Sequence, residues 1–187
     1  MIYDEESILM NVLKNSIYTN INKYNIIVLL DDTTEYDTYI NQYIIDILII
    51  FDNFFLFTIN TDYPIYLERE DIFLIKDIKT NNNKYPNFYL KFKEIIEFNN
   101  ILNLNSLCII IMYIYNISID NSGLNNIVKF YKLINNVIDD YYIYIILLND
   151  DIENIYKFFF VHDNITIITY KDLCNNDDFL LLFDNII

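Results

Sequence analysis

Few side chains in this chain could carry nucleophilic or redox chemistry. There are two cysteines, Cys108 and Cys174, and one histidine, His162. A thiol attacks as the thiolate, so it needs a cation, a helix N-terminus or a vicinal thiol to lower its pKa. Cys108 lies inside the apolar run Leu107-Cys108-Ile109-Ile110-Ile111, where a buried and inert thiol is expected. Cys174 lies in the polar stretch Asp172-Leu173-Cys174-Asn175-Asn176, and no CxxC pair exists. A single histidine supports no His-based metal cluster. The hydroxyls of Thr33, Thr34, Ser118 and Ser122 stand between apolar runs with no base beside them, and helix capping is the role expected for them. The residues therefore point to no catalytic group, no metal site and no cofactor.

Acidic side chains are plentiful, and many come as pairs: Asp31-Asp32, Asp139-Asp140, Asp150-Asp151 and Asp177-Asp178. Solvated strand ends and helix starts are the expected setting. The functional alternatives are weak divalent-cation binding or mimicry of a nucleic-acid surface. Net charge is −15, with eleven Lys and the single Arg69 scattered rather than clustered. Phosphate contact needs grouped cations, so neither nucleic acid nor an anionic membrane is an expected partner.

Such groups would be positioned by a core of ample size, since 54% of the residues are hydrophobic and only 21% charged. The chain has 39 Ile and 28 Asn, no Ala and one Gly, a bias that follows codon usage in an AT-rich genome and makes local patterns cheap. The longest apolar runs, 107–115 and 141–148, are far shorter than the roughly 18–20 residues of a membrane-spanning helix and read as buried strands. The acidic start Met1-Ile2-Tyr3-Asp4-Glu5-Glu6 is unlike a signal peptide. A soluble, cytoplasmic chain is expected as the sequence stands; a secreted or endoplasmic-reticulum mature form with its signal removed would look the same.

Apolar spacing predicts helices over residues 4–18, 33–51, 122–137, 149–159 and 177–186, and another carrying Ile95, Ile96, Phe98 and Ile101. Strands are predicted over 25–30, 54–59, 72–75, 107–115, 141–148 and 165–170, with 61–71 as a loop or short helix around Pro64. The order strand, helix, strand, short helix, strand, helix thus occurs twice. The ending Phe98-Asn99-Asn100-Ile101 is echoed by Phe183-Asp184-Asn185-Ile186. Internal duplication with a boundary near Asn103-Leu104-Asn105 is one explanation, and compositional bias is the other.

This repeated order resembles two tandem thioredoxin-like domains, 1–103 and 104–187, each a mixed β-sheet flanked by helices. It is similar to the non-catalytic pair in protein disulfide isomerases. The loops that would hold the family's CxxC read Asp31-Asp32-Thr33-Thr34-Glu35 and Asn116-Ile117-Ser118-Ile119-Asp120-Asn121-Ser122-Gly123, with no cysteine in either. The positions of its cis-proline hold about Asp71 and Asn164. The resemblance therefore implies a redox-inactive module that binds a protein or peptide, with His162, Asn164, Asp120 and Ser122 as the candidate binding surface. The alternatives are an acidic, calcium-binding calsequestrin-like protein and an atypical thiol- or glutathione-dependent enzyme using Cys174. Domains this small cannot bury all of so apolar a chain, so a homodimer centred on Tyr, Phe and Ile is also expected.

Overall fold

A computed structural model of the chain describes residues 24–33, 38–78, 87–102, 108–115 and 125–175. The predicted helices over 4–18 and 177–186, and the predicted boundary at 103–105, lie outside them.

Three apolar runs become strands: β1 (Asn25–Leu30), β4 (Cys108–Ile114) and β5 (Tyr141–Leu147), almost wholly buried along their length. Continuous burial means both faces are covered, which is the setting of parallel strands with helices on each side. They pair in parallel, Val28 beside Ile111 and Ile111 beside Tyr144. β2 (Asn53–Thr58) lies parallel to β1 on its other side, and β6 (Ile165–Thr169) lies parallel to β5. The short β3 (Ile65–Glu68) closes one edge, antiparallel to β2. All six strands form one sheet in the order β3-β2-β1-β4-β5-β6.

This sheet overturns the two-domain expectation. β1 belongs to one predicted domain and β4 to the other, yet they are hydrogen-bonded neighbours at its centre over Asn25↔Cys108 to Leu30↔Tyr113. There are no tandem thioredoxin-like domains. The apparent repeat reflects helical crossovers, which any parallel sheet requires, in a compositionally biased chain. β6 is parallel to β5, whereas the thioredoxin resemblance would make 165–170 an antiparallel strand. Residues 72–75, expected as a strand, belong to a 3-10 helix, Arg69–Asp77. In a 3-10 helix positions i and i+3 share a face, so Ile72 and Ile75 go into the core while Phe73 and Leu74 stay exposed.

Alternation along the strands divides the core. Ile26, Val28, Ile111, Tyr113, Tyr144 and Ile146 lie on one face with α1 (Thr38–Leu48) and the 3-10 helix. Ile27, Leu29, Ile110, Met112, Ile143 and Ile145 lie on the other. That second face is covered by α2 (Phe88–Leu102), α3 (Asn125–Val137) and α4 (Glu153–Phe159). Phe130 of α3 is its hub, with ring centroids 5.5 Å from Phe92 and 5.3 Å from Phe160. The short α5 (Tyr170–Asn175) follows β6. Helices alternate with strands around an open parallel sheet, and β1 and β4 send their crossovers in opposite directions. The crevice between their carboxyl ends is the place where such sheets take ligands.

Candidate functional site at the carboxyl ends of β1 and β4

β1 ends in Asp31-Asp32-Thr33, which the sequence marked as a solvated strand end and a helix cap. The structure buries all three, at 0%, 2% and 5% exposure. A buried carboxylate must be matched by donors, and these are. The Asp31 N–H continues the ladder to the Tyr113 carbonyl at 3.0 Å. Asp31 Oδ1 accepts from the Thr33 N–H at 3.1 Å and from the Thr33 hydroxyl. Asp31 Oδ2 accepts from the Tyr115 N–H, just past β4, at 3.1 Å. One side chain therefore ties the ends of the two central strands together.

Asp32 makes the matching link to β2. Its Oδ1 accepts from the Asn60 N–H at 3.1 Å, and its carbonyl accepts from Asn60 Nδ2 at 3.2 Å. Below Asn60, the Thr58 side chain receives the Thr61 N–H at 3.2 Å. The Thr61 carbonyl takes a bond from Lys91 Nζ at 2.5 Å, and Lys91 pairs with Glu94 at 2.6 Å. Lys91 is only 7% exposed, a buried cation on α2 that the apolar pattern of the helix did not single out. The signal for the acidic pair was present, since Asp31-Asp32 directly ends a strand buried to its last residue.

This chemistry does not suit a nucleotide. Phosphate at the end of β1 needs glycines for close backbone approach and free amides to receive it. Here the turn is Asp31-Asp32-Thr33 and two of the nearby amides are already bonded to Asp31. Among the described residues no group of three or more His, Cys, Asp or Glu side chains is placed to hold an ion.

Of the four residues chosen from the sequence, His162 and Asn164 are described. His162 and Asn164 lie just before β6, at the amino end of the sheet. The Asn164 N–H donates to His162 Nδ1 at 3.1 Å, Asn164 Nδ2 donates to the Ile138 carbonyl at 3.0 Å, and the Asn164 carbonyl receives the Ile143 N–H at 2.9 Å. These bonds make Asn164 a structural turn residue. Asp120 and Ser122 lie outside the described residues. Of the other acidic pairs, Asp139-Asp140 and Asp150-Asp151 are exposed in 3-10 turns, as the sequence implied.

Buried nucleophiles are quenched. Burial pushes the Cys108 thiol up to about 12, opposite to what thiolate chemistry needs. Burial also raises Tyr113 and Tyr156, the latter further by the Asp31 carboxylate. Among the described residues the Tyr113 hydroxyl has no hydrogen-bond partner.

The class defined here is a single α/β domain with a doubly wound, mainly parallel sheet. Among solved structures, the chain is similar to the crystal structure of the SpRpn10 VWA domain. The two share 16% identity at a TM-score of 0.52, over 81% of this chain and 94% of that one. At that identity the likeness is one of fold, and it replaces the thioredoxin and disulfide-isomerase resemblance. No protein-family model matches the chain, and no curated protein matches its sequence.

Proposed function

We propose that the chain is a redox-inactive protein-interaction module with no chemistry of its own. One observation carries this reading. Five large apolar side chains, Tyr63, Ile65, Tyr66, Phe73 and Leu74, are 44–81% exposed within a single stretch around β3. Ile65, Phe73 and Leu74 fall on the Leu67 face and Tyr66 packs beside Phe55 on the other, so apolar side chains flank this sheet edge on both sides, as at contact surfaces. The polar groups at the end of β1 support the reading from the other side, because they are spent on one another. The VWA-like fold is compatible with it, and no described helix is long and apolar enough to cross a membrane. The partner is a protein or peptide. A second copy of the chain, the homodimer expected from composition, would be one form of it.

The test is affinity capture on the full chain, with sedimentation velocity of the free protein and assays of insulin reduction and glutathione conjugation. The reading expects a protein retained in stoichiometric amount, or a concentration-dependent dimer, and no turnover. Thiol or glutathione turnover, or a monomer that retains nothing, would overturn it.

A further inference from the structure

The edge of the sheet shows what kind of partner this surface fits. The Arg69 N–H donates to the Asp52 carbonyl at 2.9 Å, one step beyond the pair Asn53↔Glu68. Antiparallel pairs alternate between bonded and non-bonded, so Leu67 and Ile65 turn their main-chain groups inward to β2. Tyr66 and Glu68 turn theirs outward, beyond the last described strand of the sheet. Tyr66 is 51% exposed and Ile65 44%, so this edge is open to solvent. An uncovered edge is a template for a further strand.

The charges beside it select the occupant. Asp62, Glu68, Glu70 and Asp71 are all exposed around the edge. The two nearby cations are engaged: Arg69 pairs with Asp52 at 2.5 Å, and Lys76 lies over the Phe73 ring, 5.7 Å from its centroid. A second copy would bring the same carboxylates, and a net charge of −15, against this edge.

We propose, resting on the interaction-module reading above, that β3 takes a seventh strand from a partner protein. That strand is an extended segment in which Lys or Arg alternates with aliphatic residues. The main-chain groups of Tyr66 and Glu68 carry the pairing. Ile65 and the neighbouring Phe73 and Leu74, on the Leu67 face of the sheet, receive the aliphatic side chains, and Glu68, on the opposite face with Tyr66, receives the cations.

The test is fluorescence anisotropy of the full chain with three labelled peptides: alternating Lys and Val, alternating Glu and Val, and the Lys-Val peptide N-methylated at alternate residues. Only the first is expected to bind, with amide shifts centred on Tyr66 and Glu68. A Glu68→Lys, Glu70→Lys double variant, both positions exposed, is expected to bind it about tenfold more weakly. Equal binding of the N-methylated peptide, no effect of the double variant, or shifts centred elsewhere would overturn the proposal. So would self-association abolished by Tyr66→Lys. If the Lys-Val peptide fails while the chain still captures a protein through another face, the edge proposal falls and the module reading stands. If nothing is captured either, both fall.

Discussion

Replacing Asp31 tests whether the end of β1 is architecture or a ligand site. In Asp31→Ala the Thr33 N–H and hydroxyl and the Tyr115 N–H all lose their acceptor. Thr33 is 5% exposed, so its donors cannot turn to water, whereas the half-buried Tyr115 can do so in part. A buried donor left without an acceptor costs about 1–3 kcal/mol. The hydroxyl can rotate, so the two amides dominate and the expected loss is about 3 kcal/mol. For a chain of this size each kcal/mol lowers Tm by about 2–4 °C, so the expected fall is about 6–12 °C. Asp31→Asn keeps one acceptor but turns an NH2 group toward one of the donors, and should fall between Asp31→Ala and the parent. The assay is thermal and urea unfolding followed by circular dichroism. An Asp31→Ala protein melting within about 2 °C of the parent would refute the argument, because its carboxylate would then be holding nothing that the fold needs.

Other consequences are smaller. Tyr113→Phe removes a buried hydroxyl that has no partner among the described residues, so it should leave Tm unchanged or raise it by a few degrees; a clear drop would reveal a hidden partner. In a Cys174→Ser variant the remaining thiol, Cys108, should react with a thiol reagent only on unfolding, since burial holds it protonated; fast labelling of the native protein would contradict this. Asp172 forms a capping box with Thr169, accepting from the Thr169 N–H at 2.9 Å and the hydroxyl at 2.7 Å. Burial opposes its ionisation, but those bonds and the neighbouring Lys157 and Lys171 prevail and hold its pKa below the ordinary value. Its contribution is therefore present above a pH of about 3.9 and lost as pH falls through the lower folded value. The Tm deficit of Asp172→Asn should accordingly shrink on acidification, and a deficit that persists at the lowest pH would count against the box.

The elements were largely legible in the sequence, and their arrangement was not. β1, β4 and β5 announced themselves as unbroken apolar runs because both of their faces are buried. β3 was missed because it has four residues, follows Pro64 and exposes all but Leu67. Ile72 and Ile75 suggested a strand because a 3-10 turn also brings two apolar residues close together on one side. The pairing of β1 with β4 joins Asn25 to Cys108 across two intervening strands, and no local pattern reports such a contact. At the candidate site, Asp31-Asp32 looked like a solvated strand end because, besides the local Thr33, its matching donors come from Tyr115 and Asn60, which lie near it only in the folded chain. His162 and Asn164 were chosen through a resemblance, and the turn they form is explained by local hydrogen bonds.

The central claim is that one sheet holds all six described strands, with β1 beside β4. Main-chain NOEs between these strands test it most directly, in a triple-resonance spectrum of the full protein. A parallel series linking Asn25–Leu30 with residues 108–113, with Val28 opposite Ile111, is predicted. Two separate sets of strand contacts, one within residues 1–103 and one within 104–187 and none between them, would contradict the account.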